Sequence, residues 1–187
     1  VWIAASTHAG EDEQVLAAHR QLLRDWPDLL LLLVPRHPER FDAVARLVRD
    51  SGLGLRRRSE AEPLTAAQQV FLGDSMGELM MFYSCADIAF VGGSLVPSGG
   101  HNYLEPAALG LPILTGPQRF NFTEISQLLE GAGALVQVEN AAELERQVGV
   151  WLDDPQQAKV AGEAGAAVVR DNQGALQRLL GGVGRFL

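Results

Sequence analysis

Cysteine is nearly absent. Cys85 stands alone in 187 residues, so no disulfide can form within the chain, which accords with a reducing compartment. Cys85 lies in an apolar helical stretch and reads as a small buried hydrophobe. Positive charge is also scarce: 15 Lys and Arg face 23 Asp and Glu, a net charge of −8. A nucleic-acid interface needs a basic face, so no nucleic-acid partner is expected. No apolar run is long enough to span a membrane; the longest, Leu29–Val34, has strand length. No signal peptide is visible, because Val1-Trp2-Ile3-Ala4-Ala5 already reads as a strand. The expectation is an excised domain, one half of a larger enzyme. The turn after that strand lacks Gly-x-Gly-x-x-Gly, which argues against a dinucleotide dehydrogenase. Neither a Gly-x-x-x-x-Gly-Lys phosphate loop nor a Gly-x-Ser-x-Gly nucleophile elbow is present. No Asp-x-Asp metal motif occurs, and the spacing of His8, His37 and His101 matches no zinc pattern. No metal or cofactor is expected.

What is present is a core-forming chain, 47% hydrophobic, of a size that buries roughly 70% of its unfolded surface. Strand and helix signals alternate. Strands are expected at Val1–Ala5, Leu29–Val34, Gly54–Arg58 (a short edge strand), Val70–Leu72, Ile88–Val91, Ile113–Thr115 and Leu135–Val138. Helices are expected at Glu11–Trp26, with Val15, Leu16, Leu22, Leu23 and Trp26 on one face, and at Phe41–Ser51, Met76–Ala86 and Thr123–Glu130. The C-terminal part, 141–187, reads as helices at Ala141–Leu152, Gln156–Asp171 and Ala175–Leu180. Such alternation implies right-handed crossovers. The fold class is α/β, a Rossmann-like, doubly wound, mostly parallel sheet in one domain, 1–187.

Ligands of such sheets sit beyond the carboxyl ends of the strands, near the switch in strand order. Four polar motifs fall on that edge: Ser6-Thr7-His8-Ala9-Gly10-Glu11, Pro35-Arg36-His37-Pro38-Glu39-Arg40, Gly73-Asp74-Ser75-Met76-Gly77-Glu78, and Gly92-Gly93-Ser94 through Gly99-Gly100-His101-Asn102-Tyr103-Leu104-Glu105-Pro106. The last carries two glycine pairs before a polar helix start, a pattern that lets backbone N–H groups approach an anion. Asn102 and Glu105 have the spacing of a capping box. They either only cap, or Asn102 and the following amides face a phosphate while Glu105 accepts from ribose hydroxyls. Ser75 and Glu78 repeat the spacing around Gly77, with capping and close approach of a flat ring both open. Arg36 either binds a phosphate or carboxylate or makes a surface pair with Glu39. Arg56-Arg57-Arg58 reads as a solvated strand end, with a local anion site as the alternative. His8 is a candidate substrate contact; Glu11 suits the first turn of a helix.

Together these motifs resemble the C-terminal half of the bacterial 3-deoxy-D-manno-octulosonic acid (Kdo) transferases. The resemblance runs over nearly the whole chain and includes Gly116-Pro117 with Phe120-Asn121-Phe122. Tyr103 and Ser75 depart from it, standing where the family often has proline and threonine. It implies the donor-binding half of a two-domain GT-B enzyme that moves Kdo from CMP-Kdo to a lipid A precursor, in lipopolysaccharide biosynthesis. The implied CMP contacts are Pro35, Arg36, Met76, Gly77, Glu78, Asn102, Tyr103, Leu104 and Glu105, with position 103 contributing mainly backbone. The implied reaction is an inverting, metal-independent displacement whose catalytic base lies in the N-terminal half, so this chain alone is expected to be inactive. Acceptor binding and membrane contact, at the cytoplasmic face of the inner membrane, are likewise implied for that other half. A GT-B enzyme using a UDP or GDP sugar and a non-catalytic nucleotide-binding module remain as alternatives.

Overall fold

The computed structural model describes residues 1–60 and 62–183, with side chains as far as 172. Its strands are β1 (Trp2–Thr7), β2 (Leu31–Pro35), β3 (Leu55–Arg57), β4 (Val70–Leu72), β5 (Ile88–Val91), β6 (Ile113–Thr115) and β7 (Leu135–Gln137). They form one parallel sheet in the order β3-β4-β2-β1-β5-β6-β7. The helices are α1 (Asp12–Leu22), α2 (Phe41–Asp50), α3 (Leu79–Ser84), α4 (Leu104–Ala108), α5 (Thr123–Gly131), α6 (Ala141–Asp153) and α7 (Pro155–Val183).

Period-2 alternation divides the core between the two faces. Trp2 and Ala4 of β1, with Leu31 and Leu33 of β2, pack with Val15, Leu16 and Leu22 of α1 and with residues of α2 and α6. Ile3 and Ala5, with Leu32 and Val34, pack on the opposite face with Phe82 and Tyr83 of α3. Both central strands are therefore buried on both sides, as the unbroken apolar run Leu29–Val34 predicts. Each fully buried leucine contributes about 1.5–3 kcal/mol. A buried polar tie locks the central layer. Trp2 Nε1 donates to His19 Nδ1 at 3.2 Å, which leaves His19 Nε2 to donate to the Gln69 carbonyl at 2.9 Å.

Three expectations need correction. The helix expected over Met76–Ala86 begins only at Leu79, because Gly77 has φ +80°, a left-handed conformation that cannot continue a right-handed helix. Cys85 is exposed rather than buried. It follows the last turn of α3, where Phe82, Tyr83 and Ala86 take the inward positions. The two helices expected at Gln156–Asp171 and Ala175–Leu180 are one helix, α7; residues 184–187 of the expected 141–187 segment lie outside the described residues.

The connections place the polar motifs. From β1 the chain goes to β2 on one side, and β5 docks on the other. The loops leaving β1 and β5 thus diverge at the carboxyl ends, and a crevice opens between them.

Candidate functional site

The double-glycine loop after β5 does hold an anion, but the anion belongs to the chain. Glu11 is fully buried, at 0% exposure. Its Oε2 accepts from the amides of His8 at 2.9 Å and Gly93 at 2.7 Å; its Oε1 accepts from Ser94 and Leu95, both at 2.9 Å. Four amides converging on one carboxylate form an anion nest, so the Gly92-Gly93 segment clamps α1 to β5. The second glycine pair serves packing. Gly100 has φ +79°, and a Cβ there would lie 2.5 Å from the Tyr103 hydroxyl. Tyr103 is buried, its hydroxyl 2.8 Å from Thr115 Oγ1.

Beyond this scaffold lies a cavity of about 320 Å³ at the carboxyl ends of β1, β2 and β4 and at the start of α4. Its polar wall includes Ser6, Arg36, Ser75, His101, Asn102 and Glu105; its apolar wall includes Val34, Pro35, Met76, Leu79 and Phe122. Arg36 is exposed, and among the described residues no carboxylate pairs with it, Glu39 included. Glu105 makes no hydrogen bond or ion pair among the described residues, so the capping box fails to form. Asn102 Oδ1 instead accepts from the Leu104 amide at 3.0 Å, and no side chain caps α4. Met76 is 61% exposed at the lip. The cavity thus offers a cation and a carboxylate that have no partner among the described residues, and an apolar wall.

Behind His101 on this wall sits His8, Nε2 to Nε2 at 2.8 Å, with His37 edge-on to His8. Only one of the two facing nitrogens can carry a hydrogen. Burial pushes the His101 pKa down to about 4 and lowers that of His8, so both rings are neutral near pH 7. Among the described residues no group of three or more His, Cys, Asp or Glu is placed to hold a metal ion.

The arginine triplet is latched rather than solvated. Arg56 pairs with Glu62 at 2.5 Å; Arg57 bridges Asp42 at 2.8 Å and Asp74 at 2.7 Å; Arg58 reaches Glu78 at 2.8 Å. Ser75 also donates to Glu78, and these two donors hold its carboxyl below the usual range. The Ser75–Glu78 turn, which carries Met76 and Gly77 to the cavity, is therefore tied to the β3 edge. Arg40 is committed too, to Asp12 and to the Thr7 carbonyl at 2.9 Å.

The glycosyl transferases group 1 family profile matches residues 2–168. The chain belongs to that family. It is 52% identical to the 3-deoxy-D-manno-octulosonic acid transferase of Haemophilus influenzae over 181 residues, 96% of this chain and 42% of that protein. It is 36% identical to the enzyme of that name from Bordetella pertussis, over 94% of this chain and 42% of that protein. It thus spans less than half the length of these relatives. A solved structure, the C-terminal CMP-Kdo binding domain of WaaA from Acinetobacter baumannii, is 38% identical with a TM-score of 0.80. That match covers 90% of this chain and 87% of the other. The fold is that of the C-terminal half of a GT-B glycosyltransferase.

In this glycosyltransferase domain, the residues singled out from sequence divide cleanly. Pro35, Arg36, Met76, Gly77, Asn102 and Glu105 line the one cavity. Glu78, Tyr103 and Leu104 do not. Glu78 turns to Arg58, the Tyr103 ring goes into the core, and Leu104 lines a neighbouring groove with Met80 and Ala108, to which Asn102 and Glu105 also contribute. Sequence reasoning gives no donor-binding role to Ser6, Leu79, Tyr83, His101 or Phe122, which also line the wall. Leu79 and Tyr83 are four apart on α3, a helical spacing legible in the sequence. Ser6 opens the polar motif after β1, but nothing in the spacing turns it toward the cavity.

Proposed function

We propose that this chain is the donor-binding half of a glycosyltransferase that takes Kdo from CMP-Kdo and passes it to a lipid A precursor in lipopolysaccharide biosynthesis. One observation carries the reading. A domain similar at 38% identity to a CMP-Kdo binding domain gathers Arg36, Gly77, Asn102 and Glu105 around a single cavity. The phosphoryl group lies against Arg36 and the Asn102 turn. The ribose hydroxyls donate to Glu105, whose carboxylate has no partner among the described residues. The base lies over Met76 and Gly77 against Pro35, where the absence of a side chain at position 77 leaves the turn open. Tyr103 and Leu104 contribute backbone at most, and Glu78 holds the turn in place.

The displacement inverts the anomeric centre without a metal, and the base that deprotonates the acceptor comes from the N-terminal half of the full-length enzyme. This half stabilises the leaving CMP through Arg36 and the polar groups of the Asn102 turn. By itself it binds the nucleotide and transfers nothing. The N-terminal half also contributes the acceptor surface and the contact with the cytoplasmic face of the inner membrane. Among the described residues, no helix is long and apolar enough to cross a membrane.

Calorimetric titration of the chain with CMP, UDP and GDP tests the proposal. Binding of CMP in clear preference to the diphosphates is expected. Equal or tighter binding of UDP or GDP, or no binding of CMP, contradicts it.

A further inference from the structure

Ser6 is the single residue other than glycine with a positive φ among the described residues, at 57°. For an ordinary L-residue that conformation costs of order 1–2 kcal/mol, and such strain gathers at ligand clamps and active sites. Its origin is a bulge. β1 pairs Ala4 with Leu33 and Ala5 with Val34, but the next partner of β2, Pro35, faces Thr7. Regular alternation would put Ser6 on the face of Trp2 and Ala4, beneath α1. Thr7 takes that place instead and donates to Asp12 Oδ1 at 2.6 Å. Ser6 is the extra residue, and bulges of this kind re-aim a side chain.

The bulge brings Ser6 to the cavity, where it sits with Val34 and Tyr83 from the layer on the other face of the sheet. It is 8% exposed, and no hydrogen bond joins its Oγ to another described residue. That leaves the hydroxyl free to bond a ligand in the cavity. Arg36 stands next to it: the Arg36 amide donates to the Thr7 carbonyl at 3.0 Å, so the free guanidinium and Ser6 leave adjacent strands side by side. His101 and Asn102 complete this polar corner.

We propose that Ser6 is a ligand-binding residue whose hydroxyl donates a hydrogen bond to the phosphoryl oxygen of the bound nucleotide, beside Arg36. The inference rests on the nucleotide reading of the cavity and adds to it a contact from the central strand. It assigns the bulge a purpose: a regular β1 would bury the hydroxyl under α1, away from the ligand.

Glycine at position 6 separates the hydroxyl from the strain, because it removes the first and relieves the second. The experiment titrates wild type, Ser6→Gly and Ser6→Ala with CMP and with cytidine, which lacks the phosphoryl group, by NMR, and records thermal melts. Expected for Ser6→Gly is a loss of roughly tenfold in CMP affinity, the scale of one hydrogen bond to a charged group. Its cytidine affinity stays within about twofold of wild type, and its melting temperature is no lower. Ser6→Ala loses the same CMP affinity while melting lower, since it keeps the strain. Wild-type CMP affinity in Ser6→Gly, or equal losses for CMP and cytidine, overturns the inference and leaves the nucleotide reading standing. Failure of the wild-type chain to bind CMP overturns both.

Discussion

The Glu11 carboxylate accepts the Gly93 amide at 2.7 Å and so joins the start of α1 to the loop after β5, 82 residues away. Three further amides close on the same group. Gly93 in turn accepts from the Gly100 amide at 2.8 Å through its carbonyl, and a Cβ on Gly93 would strike the His101 ring at 2.9 Å. One buried acid thus sets the position of the segment that carries His101 and Asn102 to the cavity.

Removing that acid leaves four amides without an acceptor, those of Gly93 and Ser94 in fully buried bonds and those of His8 and Leu95 in partly buried ones. Each buried unsatisfied donor costs about 1–3 kcal/mol, and partial relaxation reduces the sum. Glu11→Ala is expected to lower stability by about 3 kcal/mol or more, read by urea unfolding. Glu11→Gln is expected to fall between it and wild type, because the amide oxygen still accepts while its NH₂ faces donors. A loss below about 1 kcal/mol for Glu11→Ala contradicts the nest.

Tyr103→Phe separates packing from ligand binding. The substitution removes the hydroxyl that meets Thr115 Oγ1 at 2.8 Å and keeps the ring in its buried site. Stability is expected to fall by about 1 kcal/mol, with CMP affinity unchanged within about twofold. A large loss of affinity at unchanged stability would return the Tyr103 side chain to the binding site.

Glu105→Ala is expected to weaken CMP roughly tenfold through lost ribose hydrogen bonds and to leave stability almost unchanged, since Glu105 makes no protein hydrogen bond or ion pair among the described residues. Deoxycytidine monophosphate and CMP are expected to bind this variant more nearly alike than they bind wild type. Unchanged CMP affinity in calorimetry removes Glu105 from the site.

Acid is expected to destabilise the domain in a defined window. His19 is buried and neutral between Trp2 and Gln69, and burial depresses its pKa from 6.5 to about 4. The unfolded chain therefore binds a proton below pH 6.5 that the folded chain accepts only near pH 4. Stability is flat above pH 6.5 and falls as pH drops from 6.5 to about 4, by up to about 3 kcal/mol for this one group. His101, also lowered to about 4, and His8 act in the same direction. Urea unfolding across pH 4–8 checks the sign, and His19→Gln, with a neutral amide in place of the imidazole, is expected to flatten the slope.

The sheet and its carboxyl-end rim were legible because they rest on hydropathy and on turn residues. Leu29–Val34 reads as a doubly buried strand from composition alone, and motifs that end strands must meet on one edge of a parallel sheet. The partner of each polar group was not legible. Glu11 and Gly93 carry no sequence mark of their bond, since long-range pairing depends on how β1 and β5 dock. The spacing of Asn102 and Glu105 fits a capping box equally well, yet α4 runs only from Leu104 to Ala108 and Glu105 turns to the cavity instead. Gly77 reads from sequence as part of a helix; its left-handed φ instead makes the turn and delays the helix to Leu79. The motif that opens with Ser6 is legible at the end of β1, but the turning of Ser6 to the cavity is not, because a bulge is a matter of register between strands, which a single chain does not display.

The most direct test is a backbone NMR titration of the ¹⁵N-labelled chain with CMP. The account predicts that the amides of Ser6, Arg36, Gly77 and Asn102 shift together with one dissociation constant. Shifts confined to the opposite end of the sheet, around the groove between Gly110 and Trp151, with none at these four, would contradict it.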